Sequence, residues 1–194
     1  MYSHKSWDTK KNGKQTVWHC SRKYYKDRSC DSPVIKEEEI KEKFVSAFNE
    51  IYSEKEFILE CCRDVMRGFE DTAELDEKID EGIHECEIIA EMNRKLLTEN
   101  SRSVMDQDAF MKKYNAYVDK YEKKSEEVEK LQKKREELLK KAELISGFMF
   151  EIHEQDGMIE KFDEKLWLTT IDQVLVHHDG RMIFRFRNGT EVTR

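Results

Sequence analysis

Residues 110–152 read FMKKYNAYVDKYEKKSEEVEKLQKKREELLKKAELISGFMFEI, and their spacing decides the fold. Phe110, Tyr114, Tyr117, Tyr121, Val128, Leu131, Leu138, Ala142, Ile145, Met149 and Ile152 fall on one ladder of alternating steps of four and three. That is the period of a coiled-coil seam. Only Lys124 and Arg135 interrupt it, and both are long enough to lay methylenes along a seam while the charge reaches water. At ~1.5 Å per residue such a helix is on the order of 60 Å long and cannot bury its own stripe. It needs a partner.

The partner lies upstream, where Leu75, Ile79, Gly82, Cys86, Ile89, Asn93 and Leu96 repeat the same steps. Between the two ladders, residues 98–108 are rich in Thr, Asn, Ser and Asp and read as a turn followed by a helix start at Asp106. Two long helices joined by a short polar connection fold back antiparallel. At the turn, Val104, Met105 and Phe110 form an apolar tip on a charged hairpin, a candidate for self-association; the same residues would equally serve to plug the hairpin's end.

The rest of the composition agrees with long solvated helices. Of 194 residues 40% are charged and 38% hydrophobic, with a mean hydropathy of −0.87, one proline (Pro33) and seven glycines. No run has the apolar length of a membrane span, and the polar, basic start does not resemble a signal peptide. Five cysteines, with Cys61 and Cys62 adjacent in a helical pattern, read as reduced thiols rather than a secreted disulfide framework. The expectation is a cytoplasmic protein without a membrane partner.

Taken in order, the expected parts are a β-ribbon over 1–35, a connecting helix over 36–70, the antiparallel arm over 71–155, and a short helix with a β-meander over 156–194. The fold class is mainly α with a small β component. In the ribbon, Asn12-Gly13 is a hairpin signal before the run Gln15 to Cys20. In the meander, Asp179-Gly180 and Asn188-Gly189 mark turns, and Met182, Phe184 and Phe186 alternate with Ile183, Arg185 and Arg187, giving an aromatic face that the first helix should cover.

Charge divides the chain. Residues 1–30 carry eight basic residues against two acidic ones, a net +6, so the remainder carries −13 of the overall −7. Lys10, Lys11, Lys14, Arg22, Lys23, Lys26 and Arg28 are the candidate contacts to the phosphates of double-stranded DNA. Cys20 and Cys30 bracket a basic loop and supply two of the four ligands a structural zinc prefers; on spacing alone two buried free thiols fit equally well. His4 and His19 are the nearest substitutes for the other two ligands.

Other candidate sites fall away. His177 and His178 are successive strand residues and face opposite sides. His84 and His153 each lack the second histidine one turn away that a helical zinc motif needs. No phosphate-binding glycine loop and no nucleophile with a nearby base is visible, so neither catalysis nor a small-molecule substrate is expected.

Together, Trp18-x-Cys20, Cys30, Asp31-Ser32-Pro33 and Glu37-Glu38-Glu39-Ile40, with Phe48-Asn49 beyond, resemble the zinc-ribbon domain of the large serine recombinases, the phage integrases and transposon resolvases of that type. Asp106-Gln107 before Tyr114-Asn115 looks like that family's coiled-coil return helix. Phe162-Asp163-Glu164, Leu166-Trp167, Ile171-Asp172, Asp179-Gly180 and Gly189-Thr190-Glu191 look like its closing strands. The resemblance implies zinc at Cys20 and Cys30, ribbon contacts to attachment-site DNA, and an arm that contacts the arm of another subunit and controls the direction of recombination. It also implies a C-terminal piece: the Cys-x-x-Cys pair that precedes the ribbon and the catalytic serine domain have no counterpart here, leaving the zinc site incomplete. The competing expectation is a cytosolic coiled-coil scaffold or adaptor that binds no DNA.

Overall fold

A computed structural model describes residues 2–9, 13–23, 30–103 and 106–194, with backbone alone at 7–9, 13 and 14. The element order is β1 (Tyr2–Thr9), β2 (Gly13–Cys20), β3 (Ile35–Lys36), α1 (Glu37–Ser53), α2 (Lys55–Glu70), α3 (Ala73–Arg102), α4 (Gln107–Glu154), α5 (Glu164–Thr170), β4 (Ile171–Val176), β5 (Met182–Phe186) and β6 (Glu191–Thr193). The protein is mainly helical, with two antiparallel three-stranded sheets, β1-β2-β3 and β4-β5-β6. It divides into two units, residues 1–66 with 143–194, and residues 67–142.

The first unit is built on α1. Phe44, Ala47, Phe48 and Ile51 recur at helical spacing and are buried. The acids in its first turn favour the helix dipole and are each tied one turn on: Glu37 to Lys41 at 2.9 Å, Glu38 to Lys41 at 3.4 Å and Glu39 to Lys43 at 3.0 Å. The meander's inward row, Met182, Phe184 and Phe186, is almost fully buried. Phe184 meets Trp167 of α5, and Phe186 meets Phe148 of α4. Lys43 reaches the Gly180 carbonyl, and Arg194 reaches Ser46 and Glu50, so the aromatic face does lie against α1 and its neighbours. Gly180 and Gly189 have φ of +88°, the left-handed conformation that both hairpin turns require. At the start of α5, the Asp163 carboxylate accepts from the Leu166 N–H at 2.9 Å.

The expected single helix over 36–70 is two. It breaks at Glu54, whose N–H turns back to the carbonyls of Ile51 and Tyr52. No proline or glycine stands there. The last carbonyls of α4 and the residue beyond it lack helical partners. The Tyr52 hydroxyl donates to the Gln155 carbonyl at 2.8 Å, and the Lys55 ammonium to that of His153 at 3.5 Å. Satisfying them fixes side chains on both sides of the break. A second departure is β3: Ile35 and Lys36 pair with Trp18 and Val17 before the helix begins.

In the second unit, α3 and residues 107–142 of α4 run antiparallel. Asp76 pairs with Arg135, Gly82 lies against Val128, and Glu85 meets Lys124 at 2.9 Å, so positions rise on one helix as they fall on the other. The two basic residues on the ladder of α4 therefore reach acids on α3. Lys124 also contacts Glu127 at 3.0 Å, and its ammonium is held well above the usual lysine pKa by Glu85 first and Glu127 second. Ile79, Leu96, Phe110 and Val128 are buried, whereas Tyr121, on the same ladder, is exposed. Asp106 caps α4, its carboxylate accepting from the N–H groups of Asp108 and Ala109.

Gly82 marks the closest approach. A Cβ there would stand 2.5 Å from Val128 Cγ2. In an open helix Gly→Ala gains about 1 kcal/mol, but valine in a helix is confined to essentially one rotamer and cannot swing aside. Gly82→Ala should therefore destabilise, by about 1–3 kcal/mol of overpacking, and Gly82→Ala with Val128→Ala should recover part of the loss. Thermal melting followed by helix ellipticity reads both, and a higher melting temperature for Gly82→Ala would contradict the close approach.

Candidate nucleic-acid interface and thiol pair

The amino-terminal ribbon alternates by the two-residue period of a strand. One face carries the cross-strand pairs Tyr2↔Cys20, His4↔Trp18 and Ser6↔Thr16 and continues onto Ile35 of β3. Toward the base of the ribbon this face is covered: Cys20 is 7% exposed and Ile35 is 2% exposed. The Trp18 indole N–H points at the Glu37 carboxylate at 3.4 Å, and the His4 ring lies 5.3 Å from that of Trp18. Glu37 is held below the usual glutamate pKa by Lys41 foremost, with the Trp18 N–H contributing. The Tyr2 hydroxyl donates to the Pro33 carbonyl at 3.0 Å, and burial pushes its pKa up.

Cys20 and Cys30, ten residues apart, come together beneath this face. Their side chains are within hydrogen-bonding reach of one another, and Cys30 Sγ lies 3.0 Å from the Ser32 hydroxyl. The Ser32 side chain first, its backbone next and then Cys20 lower the Cys30 pKa by hydrogen bonding to the thiolate. Among the described residues no third His, Cys, Asp or Glu joins the pair as a metal-binding group. His4 faces the same side as Cys20 but lies beside Trp18, and His19 begins on the opposite face. Two thiolates are donors of a type that zinc accepts, and would supply two of the four ligands of a tetrahedral site.

The seven basic candidates fare differently. Lys10, Lys11, Lys26 and Arg28 lie outside the described residues, and Lys14 is placed by its backbone alone, opposite Asp8. Arg22 is exposed in the turn after β2. Lys23 is half-buried, and its ammonium donates to the Ser32 carbonyl at 2.8 Å. Sequence reading passed over Lys5 and Lys36, both exposed and both in one cross-strand row with Val17. The hairpin signal at Asn12-Gly13 could have located Lys5; the two-residue β3 leaves no periodic trace.

Of the tip residues, Val104 and Met105 lie outside the described residues. Phe110 is 8% exposed and stacks near Tyr114 with centroids 6.1 Å apart, which places it inside the helix pair instead of on its surface. Exposed apolar side chains nearby are Leu97 and Met111. Among the described residues no helix is long and apolar enough to cross a membrane. Comparison with known proteins finds no matching family model, no matching curated protein and no matching solved structure.

Proposed function

We propose that this chain is the DNA-binding and subunit-interaction region of a site-specific serine recombinase. The observation that carries the reading is the meeting of Cys20 and Cys30 at the base of a ribbon whose segment, residues 1–30, has a net charge of +6. In this reading the thiols hold half of a structural zinc site, which would lock the ribbon's loop, and the other ligands come from outside the pair. The ribbon neutralises phosphates of double-stranded DNA at an attachment site. The antiparallel pair α3 and α4 is a coiled-coil arm, inserted in the sequence between the ribbon with its helices and the meander, and contacts the arm of another subunit near its turn. Leu97 and Met111, exposed there, support an apolar contact.

Titration of the full chain with a fluorescent duplex tests this. Affinity should fall steeply between about 50 and 200 mM salt, with a log–log slope of about −0.9 per phosphate contacted. Zinc should strengthen binding, and Cys20→Ser with Cys30→Ser should remove that zinc effect. A chain that binds no duplex at low salt refutes the proposal. The −13 carried by the residues beyond 30 favours the second reading, a coiled-coil adaptor with a protein partner, and that outcome would select it.

A further inference from the structure

The two thiols at the base of the ribbon differ in access. Cys20 is buried at the end of β2, whereas Cys30 is half-buried. We infer that they form a reversible redox pair, in which a hydroperoxide oxidises Cys30 and Cys20 then closes a disulfide. The inference needs neither DNA nor zinc, so its failure would leave the DNA-binding reading untouched.

The two side chains are already within hydrogen-bonding reach of one another. The backbone at Cys20 is held, because the residue pairs with Tyr2 across the ribbon and its carbonyl accepts from the Lys23 N–H at 2.9 Å. Residues 30–34 form neither helix nor strand, so no ladder fixes Cys30 against the short movement that a sulfur–sulfur bond requires. Two bonds nevertheless keep that segment beside the ribbon. The Tyr2 hydroxyl donates to the Pro33 carbonyl at 3.0 Å, and the Lys23 ammonium to the Ser32 carbonyl at 2.8 Å. Cys61 and Cys62 make no comparable pair. They are successive residues of α2, pointing about 100° apart, one exposed and the other buried.

The chemistry balances in two steps. The Cys30 sulfur attacks the hydroperoxide; a sulfur–oxygen bond forms, the oxygen–oxygen bond breaks, and the thiol proton ends on the departing alcohol, or water for hydrogen peroxide. The Cys20 sulfur then attacks Cys30; the sulfur–sulfur bond forms, the sulfur–oxygen bond breaks, and water leaves with the Cys20 proton. Together the thiols give up two electrons and two protons. A dithiol reductant reverses the closure by thiol–disulfide exchange. While closed, the bond makes a covalent ring of residues 20–30, which include Arg22, Lys23, Lys26 and Arg28, and leaves neither thiolate available to a metal.

The test treats the full chain with hydrogen peroxide in the presence of a chelator, alkylates the remaining thiols and digests the monomer with trypsin. Cleavage after Lys14, Arg22, Arg28 and Lys36 places the two cysteines on separate peptides, 15–22 and 29–36. The joined pair should replace most of the free 29–36 peptide, and dithiothreitol should release both. Cys30→Ser should lose the joined pair altogether, and Cys20→Ser should leave a sulfenic acid at Cys30 that dimedone labels. Oxidation of Cys30 to the sulfinic acid without a joined pair, or its linkage chiefly to another cysteine, would overturn the inference. Dimedone labelling of Cys20 in Cys30→Ser as strong as that of Cys30 in Cys20→Ser would overturn the order of attack. The wild-type map decides the pairing whether or not either variant folds.

Discussion

Phe44→Ala is expected to lose about 3–5 kcal/mol, the cost of removing a large aromatic side chain from a packed core. Phe44 is 0% exposed. Its ring lies 5.1 Å from Trp167, 5.7 Å from Phe162 and 5.9 Å from Phe48, centroid to centroid. Those neighbours come from α1, α5 and the segment before α5, so the hole cannot close without moving all three. A loss of that size takes much of the total stability of a typical domain, about 5–15 kcal/mol. All three tryptophans, Trp7, Trp18 and Trp167, belong to the unit that contains Phe44. Urea unfolding followed by tryptophan emission therefore reads the loss where it occurs. Phe44→Leu should cost less because it leaves a smaller cavity. A change below about 1 kcal/mol for Phe44→Ala would mean that this aromatic cluster is not the centre of the core.

The second large effect is expected at Asn49. Its side-chain amide donates to the Ile159 carbonyl at 2.9 Å and accepts from the Ile159 N–H at 2.8 Å, pairing with that peptide as a neighbouring strand would. Residues 155–163 form neither helix nor strand, so their backbone groups must find partners one by one. Asn49→Ala strands one donor and one acceptor, each costing about 1–3 kcal/mol where water cannot replace the bond. Because the site is only part-buried, the expected total is roughly 2–4 kcal/mol. Tyr52→Phe, which removes one bond to the Gln155 carbonyl, should cost about 0.5–1.5 kcal/mol. Hydrogen exchange separates this from general loosening: the Ile159 amide should lose protection in Asn49→Ala before the strands of the meander do. Equal protection in variant and wild type would show that Asn49 does not hold the segment.

Much of the fold was legible because it depends on local periodicity. The four-three ladders from Leu75 to Leu96 and from Phe110 to Ile152 follow from helix geometry, and the residues of the upstream ladder are all buried or half-buried. Asp106 was readable as a cap, and Asp179-Gly180 and Asn188-Gly189 as turns, since few residues tolerate those backbone conformations. What could not be read depends on groups far apart in the chain. Tyr52 and Lys55, on either side of the break at Glu54, bond carbonyls at Gln155 and His153, about a hundred residues away.

The same distinction separates the candidate site's composition from its geometry. The amino-acid sequence by itself determined which segment is basic, where the thiols are, and that the long helices needed a partner, because charge, side-chain chemistry and helical period belong to the residues themselves. Only the tertiary structure decided that Cys20 meets Cys30, that Lys23 bonds the Ser32 carbonyl, that Phe110 is covered, and that Lys5 and Lys36 share a row. Those in the ribbon depend on strand register, and the burial of Phe110 on how its helix is packed. Shifting a strand by one residue would move its side chains to the other face without changing a letter of the sequence.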